Sequence, residues 1–203
     1  SAGMQVSAPD LQPTIEGVVA TRLGDYQRQV ERLLEALPRP RVVMGASLGG
    51  LLPLRSAAHA DALVLVNPLP PSPWHRDLTA RMWPDLVPWR RNARLASTRQ
   101  ALPDADEASA LFAFRHWRDE SGAVLRDAYG GVPVERPACR MLFVVSQRDE
   151  DVPVTIAQTM AANWGSEVLQ TLSTSHAGPL LGRHAAGIAA QTVEWLNRER
   201  EPG

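Results

Sequence analysis

The sequence predicts an α/β fold in which a mostly parallel sheet is flanked by helices and carries a helical cap insertion. Strand-like and helix-like segments alternate along much of the chain, which is typical of a parallel sheet. The strand-like runs "RVVMGA", "DALVLVN" and "RMLFVVS" are almost continuously apolar, as expected of strands covered on both faces. A length of 203 residues suffices for one well-buried core. We therefore expect a single domain over residues 1–203, with the cap at about residues 68–137.

The first third of the chain is predicted to alternate between strands and helices. The predicted elements are a strand over residues 4–9, a helix over 21–37, a strand over 41–46, a helix over 48–59 and a strand over 61–67. The first of these helices has apolar residues at helical spacing, and Pro38 and Pro40 end it. Pro53 lies inside the second helix and limits its regularity.

The alternation stops for a polar, tryptophan-rich stretch and resumes near the C-terminus. There the sequence predicts a strand over residues 140–146, a helix over 153–164, a strand over 167–172 and a helix over 182–200. Because the interruption spans residues 68–137, we interpret it as an insertion that lies over one end of the sheet.

The composition excludes several classes of function. All 21 basic residues are arginines, so the chain cannot form a lysine Schiff base, a Ser–Lys dyad or a Walker-type phosphate loop. A net charge of −1 gives no electrostatic reason to expect nucleic-acid binding. The single cysteine, Cys139, cannot form an internal disulfide, and the five histidines lack metal-ligand spacing. We expect neither a metal nor an organic cofactor.

Targeting and membrane signals are not found in the sequence. The N-terminal residues lack the basic and apolar regions of a signal peptide, and no apolar run approaches the length of a membrane span. These features predict a cytoplasmic protein without a membrane span. The sequence leaves the oligomeric state open.

The segment "GASLGG" predicts a sharp strand-to-helix turn that carries a serine nucleophile, Ser47. Such a turn projects the serine toward a substrate and has room only for glycines two residues before and after it, which are Gly45 and Gly49. The N-terminus of the following helix would direct the Leu48 N–H at a developing oxyanion. The alternative is that Ser47 is merely a small residue in a tight turn.

Candidates for an acid and a base follow in the second half of the chain. Asp149 comes three residues after a buried strand, at the sheet edge where open α/β sheets bind their ligands. Glu150 and Asp151 compete for the same role, and a solvated acidic loop is the alternative interpretation. His176 follows the next strand, in a loop rich in serine and threonine. The order Ser47, Asp149, His176 is that of an α/β-hydrolase triad.

These motifs resemble those of the α/β-hydrolase fold from residue 4 to the end of the chain. "APDL" resembles the family's fourth strand, "GASLGG" its nucleophile elbow, "SQRDEDVP" its acid turn and "SHAGPLL" the segment that carries its histidine. The resemblance implies Ser47 as the nucleophile, Asp149 as the acid that orients the imidazole, and His176 as the general base. Ser146 stands where the family commonly has a glycine.

The family's first three strands, and the loop that supplies its second oxyanion donor, have no counterpart in the sequence. In the family the third strand lies between the fourth and the fifth. Its absence predicts a gap in the sheet that leaves buried backbone groups without partners. We therefore expect the 203 residues to be a fragment whose upstream strands are supplied otherwise.

The residues predict a serine hydrolase that cleaves a small-molecule carboxylic ester or thioester through an acyl-enzyme on Ser47. The same fold and triad fit an amidase, a C–C hydrolase, a lyase or a cofactor-free peroxidase, and a non-catalytic ligand-binding homologue is a further alternative. In the cap, Trp74, His75 and Trp117 are candidates for substrate contacts. Packing of a small lid against the main domain explains the tryptophans better.

Overall fold

The computed structural model describes residues 3–198, which are built around a parallel sheet. The strands are β1 (Val42–Ala46), β2 (Ala62–Val66), β3 (Leu86–Val87), β4 (Glu120–Ser121), β5 (Arg140–Ser146) and β6 (Glu167–Thr171). Four of them, in the order β1, β2, β5, β6, lie side by side and parallel, whereas β3 and β4 form a separate antiparallel pair. The carboxyl ends of the four parallel strands therefore meet at one edge.

Helices cover both faces of the parallel sheet. They are α1 (Leu23–Glu35), α2 (Leu48–Arg55), α3 (Leu95–Ala101), α4 (Glu107–His116), α5 (Gly122–Tyr129), α6 (Val154–Trp164), α7 (Gly178–Leu181) and α8 (Ala185–Asn197). Residues of α2 and α6 pack with Leu63 and Phe143 on one face. Residues of α8 pack with Val64 and Val144 on the other face. This arrangement confirms the predicted α/β fold. None of the helices within residues 3–198 combines the length and hydropathy needed to cross a bilayer.

Several predicted elements form with shifted ends. The strands over 41–46, 61–67, 140–146 and 167–172 form as β1, β2, β5 and β6, and the helices over 21–37 and 153–164 form as α1 and α6. The helix predicted over residues 48–59 is divided, because α2 ends at Arg55 and Ala57–His59 forms a separate 3₁₀ turn. The last helix ends at Asn197 rather than Arg200, and Arg200 lies outside the described residues.

The strand predicted over residues 4–9 is wrong. Those residues are irregular and mostly exposed, and no strand within residues 3–198 lies on the outer side of β1. An extended segment becomes a strand only when a neighbour accepts and donates its hydrogen bonds. The predicted internal gap is also not found, since the described sheet ends at β1. The prediction that β1 is covered on both faces is wrong, because Val42 and Met44 are 43% and 53% exposed.

The segment that connects β2 to β5 contains α3, α4, α5 and the β3–β4 pair. Within it, α5 belongs to the main core, because Val124 and Ala128 pack in one cluster with Leu23 and Leu51. By contrast, α3 and α4 contact each other, and α4 also contacts α7. A cap over the whole of residues 68–137 stays a prediction.

Candidate active site

Ser47 occupies the sharp turn between β1 and α2. Its backbone angles, φ 54° and ψ −122°, lie in a region that non-glycine residues rarely adopt. Hydrogen bonds hold it there: the Ser47 N–H donates to the Val66 carbonyl at 3.0 Å, and the Ser47 carbonyl accepts from the Leu69 N–H at 2.9 Å. Strained backbone of this kind persists only where the surroundings fix it, and it clusters at functional sites.

Glycines around Ser47 are required by close contacts, but not at both of the expected positions. A Cβ atom at Gly45 would lie 1.7 Å from the Gly49 carbonyl oxygen, so Gly45 admits no side chain. A Cβ at Gly50 would lie 2.6 Å from the Cβ of Pro68. Gly49 itself faces open space, and a Cβ there meets no atom within 4 Å. The steric requirement expected at Gly49 is therefore found at Gly50, because α2 presents that residue to the chain leaving β2.

The N-terminus of α2 provides an unused hydrogen-bond donor. Within residues 3–198, no hydrogen bond is made by the Leu48 N–H, as expected in the first turn of a helix. Leu48 also borders a cavity of about 190 Å³. Its lining combines Leu11, Pro13, Val18, Tyr26, Leu48, Gly49 and Leu52 with three charged residues, Arg118, Asp119 and Glu120. A mostly apolar cavity therefore adjoins the turn that carries Ser47.

Asp149 and His176 form a hydrogen-bonded pair in the loops that follow β5 and β6. The Nδ1 atom of His176 lies 2.6 Å from Oδ2 of Asp149, whose side chain is fully buried. The other carboxylate oxygen, Oδ1, accepts the N–H groups of Asp151 at 2.8 Å and Val152 at 3.0 Å. The carboxylate is thus fixed, and its hydrogen bond with Nδ1 leaves Nε2 of His176 as the imidazole nitrogen available for chemistry.

The competing acids make other contacts. Asp151 is exposed, and its Oδ1 accepts a hydrogen bond from Arg81 at 2.7 Å. Glu150 is also exposed. These contacts favour Asp149 as the partner of His176. Donor atoms of Asp149, Asp151 and His176 lie within 4.8 Å of one another, which is compatible with a metal ion. Their observed partners, two backbone N–H groups and an arginine, instead satisfy the carboxylates without one.

Ser47 and His176 lie at the same edge of the sheet but are not hydrogen-bonded to each other in the described part of the chain. Asn67 links the backbone that holds Ser47 to the backbone of His176. It directly follows Val66, which accepts the Ser47 N–H, and its Nδ2 donates to the His176 carbonyl at 2.6 Å. In uncomplexed enzymes catalytic hydrogen bonds are often long or poorly aligned.

Asn67 and Ser146 are functional candidates that the sequence reasoning missed. Asn67 has φ 40° and is 3% exposed. Its Oδ1 accepts the Ser146 N–H at 2.8 Å, and its Nδ2 also donates to the Ser146 hydroxyl at 2.9 Å. That hydroxyl donates in turn to the Ser175 carbonyl at 2.7 Å. The signal was a polar residue at the carboxyl end of a buried strand, where open α/β sheets bind ligands.

The three candidates for substrate contacts make structural contacts elsewhere. Trp74 packs edge-to-face on Trp164 with ring centroids 5.1 Å apart, and the Nε1 of Trp117 donates to Thr98 at 2.9 Å. His75 lies against Gly131 and borders a separate cavity of about 390 Å³. None of the three lines the cavity beside Leu48. Their role in substrate binding stays a prediction that these contacts do not support.

Comparison with known proteins gives a consistent picture of the fold. A family model described as the alpha/beta hydrolase family matches residues 6–191. No curated protein sequence matches the chain. Many solved structures do match, and all those cited below are under 25% identical, so they bear on the fold alone.

Three of these structures align with nearly the whole chain. A variant of methylketone synthase I from tomato, crystallised with beta-ketoheptanoate, is 14% identical with a TM-score of 0.69, over 96% of this chain and 88% of that chain. A polyneuridine aldehyde esterase variant is 15% identical with a TM-score of 0.70, over 96% and 89%. A pyrethroid hydrolase from Sphingobium faniae JZ-2 is 18% identical with a TM-score of 0.69, over 96% and 87%.

Proposed function

Because the chain belongs to the alpha/beta hydrolase family, we propose that it hydrolyses a carboxylic ester or thioester through an acyl-enzyme on Ser47. The observation that carries the proposal is the hydrogen bond between the buried Asp149 carboxylate and the partly exposed His176, at the same sheet edge as a serine held in strained backbone geometry. A buried, hydrogen-bonded carboxylate that fixes one imidazole nitrogen is the arrangement a general base requires. Esterases and hydrolases among the structural neighbours agree with this assignment.

Each residue has a distinct role in the proposed reaction. Asp149 accepts the Nδ1–H of His176 and thereby leaves Nε2 free to take the Ser47 hydroxyl proton. The Ser47 oxygen then attacks the carbonyl carbon, and the Leu48 N–H donates to the oxygen that becomes negative. His176 returns the proton to the departing alcohol or thiol. Water, deprotonated by His176, attacks the acyl carbon and releases the acid, which regenerates Ser47.

The cavity beside Leu48 supports a substrate with a compact apolar group. Its volume is about 190 Å³, and leucine, proline and valine side chains provide much of its lining. Apolar walls with a few polar groups are typical of small-molecule sites, and Arg118, Asp119 and Glu120 provide the polar groups here. We therefore place the acyl or alcohol part of the substrate next to Leu48 and Gly49 rather than beside Trp74 or Trp117.

A non-catalytic ligand-binding protein is the second candidate. It is favoured by one observation: within residues 3–198, Ser47 and His176 share no hydrogen bond. In that case the cavity would bind a ligand without turnover. The two candidates differ in whether Ser47 is needed for a chemical step or only borders a binding site.

Hydrolysis of an ester and thioester panel with graded acyl length distinguishes these candidates. Ser47→Ala should reduce kcat/KM by a factor on the order of 10⁴ or more, because the nucleophile is lost. Ser97→Ala, which changes an exposed serine in α3, is the matched control and should retain full activity. Equal rates for wild type and Ser47→Ala would refute the proposal.

A further inference from the structure

Asp104 is a buried carboxylate in the loop between α3 and α4, and the proposed reaction does not use it. The residue is 7% exposed. Its Oδ2 accepts the Thr174 N–H at 2.9 Å, and its Oδ1 accepts the Ser175 hydroxyl at 2.5 Å. Both partners belong to residues 173–176, the histidine loop that carries His176. Asp104 therefore binds the histidine loop from the segment that connects β2 to β5.

The space around Asp104 accommodates this carboxylate closely. A Cβ atom at Gly178 would lie 2.2 Å from Oδ2 of Asp104, and one at Gly182 would lie 3.2 Å from the same oxygen. The backbone is held as well, because the Asp104 carbonyl accepts the Arg183 N–H at 2.9 Å. The residues that follow the histidine loop thus enclose Asp104, and a longer side chain would not fit.

The histidine loop is held on its other side by the sheet. The Ser146 hydroxyl donates to the Ser175 carbonyl, and the Asn67 amide donates to the His176 carbonyl. Asp104 completes this arrangement by accepting two donors from the same loop, the Thr174 N–H and the Ser175 hydroxyl. The carbonyl groups of the histidine loop are thus bound by side chains at the ends of β5 and β2, and two of its hydrogen-bond donors are bound by Asp104.

We infer that Asp104 is a positioning residue, which fixes the histidine loop so that the His176 imidazole stays aligned between Asp149 and Ser47. The catalytic part of this inference rests on the proposed function. The direction of the His176 side chain follows from the backbone of the residues before it, and Asp104 holds those residues. A general base displaced by about 1 Å can lose on the order of 10²-fold in rate.

The protonation state of Asp104 agrees with this role. Burial by itself would raise the pKa of its carboxyl group, but hydrogen bonds from the Ser175 hydroxyl and the Thr174 N–H outweigh burial and hold the pKa below its ordinary value. The group is therefore a carboxylate at neutral pH, with both oxygens available as acceptors.

Three variants test the inference. Asp104→Ala removes both acceptors. Asp104→Asn is the conservative variant, because its amide oxygen accepts the Thr174 N–H and its NH₂ group donates to a Ser175 hydroxyl that can rotate. The matched control is Asp106→Ala, which removes an equal charge two residues away from Asp104. The Asp106 carboxylate caps α4 by accepting the Ser109 N–H at 2.7 Å.

We expect Asp104→Ala to lower kcat by about tenfold or more while KM changes little, because alignment and not binding is lost. Asp104→Asn should recover most of that loss, and Asp106→Ala should keep the wild-type kcat. Ser175→Ala removes only one of the two hydrogen bonds, so it should lower kcat by a smaller factor. It serves in place of Asp104→Ala if that variant does not fold.

A second measurement separates this inference from the proposed function. Amide hydrogen exchange at Thr174, and the low-field NMR resonance of the His176 Nδ1 proton, report the loop whether or not the protein is an enzyme. Asp104→Ala should speed the exchange and broaden the resonance, and Asp106→Ala should change neither. If the wild-type protein shows no Ser47-dependent turnover, the exchange rate and the resonance still test whether Asp104 holds the histidine loop. The inference would be overturned if folded Asp104→Ala kept the wild-type Thr174 exchange rate and His176 Nδ1 resonance. It would also be overturned if the kcat of Asp104→Ala equalled that of Asp106→Ala.

Discussion

At the scale of single residues, two non-glycine residues with positive φ stand at the ends of adjacent strands. Ser47 follows β1 and has φ 54°, and Asn67 follows β2 and has φ 40°. Each such conformation costs on the order of 1–3 kcal/mol, so the surrounding hydrogen bonds must hold it. At Asn67 the side chain makes these bonds itself, to Ser146 and to His176. The two strained residues therefore lie at the same sheet edge as the candidate active site.

The contribution of the Asn67 side chain to stability can be tested with two substitutions that remove the same hydrogen bonds but differ in backbone strain at positive φ. Asn67→Ala loses the side-chain hydrogen bonds and places a Cβ at positive φ without compensation. We expect it to lower the free energy of unfolding by about 3 kcal/mol. Asn67→Gly loses the same bonds without the strain and should recover about 1 kcal/mol. Urea denaturation of the three proteins measures both effects. An Asn67→Ala variant as stable as wild type would contradict the role of this side chain.

Asp104 should make stability depend on pH in the acid range. Its pKa is below its ordinary value in the folded protein, against about 3.9 for an unperturbed Asp. Its contribution is therefore complete above about pH 5, and it is lost as the pH falls toward the folded pKa. We expect the difference in the free energy of unfolding between wild type and Asp104→Asn to shrink as the pH falls below about 5. A difference that grows on acidification would contradict this expectation.

At the scale of elements, the turn between β1 and α2 depends on one close approach of backbone to backbone. Gly45 faces the Gly49 carbonyl so closely that a methyl group cannot be inserted without moving α2. The motif was recognisable in the sequence because glycine at this position has a steric cause. The need for glycine at position 50 was not recognisable in the sequence, because it depends on where Pro68 lies in the folded chain.

Gly45→Ala should therefore destabilise the protein by more than about 3 kcal/mol, or displace the turn and abolish activity. The matched control is Gly187→Ala in α8, where a Cβ meets no atom within 4 Å. Because alanine is the better helix former, this control should raise the free energy of unfolding by about 0.5–1 kcal/mol. Thermal melting of both variants checks the contrast, and equal melting temperatures would refute it.

The exposed edge of the sheet gives a second contrast between elements. Met44 of β1 and Val64 of β2 are register partners, but Met44 is 53% exposed and Val64 is fully buried. Val64→Ala should cost roughly 2 kcal/mol of unfolding free energy through the cavity it leaves. Met44→Ala should stay within about 0.5 kcal/mol of wild type. Chemical denaturation measures both, and an equal cost would show that β1 is covered in solution.

The limits of sequence reasoning are also visible at this scale. The apolar runs that became β2 and β5 carry their own burial signal, since all five residues of β2 are buried. Residues 4–9 were also predicted to be a strand but form none. Strand formation depends on a hydrogen-bonding neighbour, and a local pattern cannot report whether one is present.

At the scale of the whole molecule, the fold and the placement of Ser47, Asp149 and His176 at one edge of the sheet could be predicted from the order of motifs and strands, and the catalytic roles of these residues stay a proposal. Ser47, Asp149 and His176 follow strands that meet at one edge, so their positions along the chain predict their proximity. The residues that hold the histidine loop gave no such signal. Asp104 lies 70 residues from Thr174, and Asn67 lies 109 residues from His176. Only the folded chain brings them together.

The most direct test of the central claim is the reaction of Ser47 with a fluorophosphonate, followed by intact-protein and peptide mass spectrometry. We expect one label per chain, located on Ser47, and labelling slowed by a factor on the order of 10³ or more in His176→Ala, which lacks the base. A folded wild-type protein that remains unlabelled, or that reacts equally fast without His176, would contradict it.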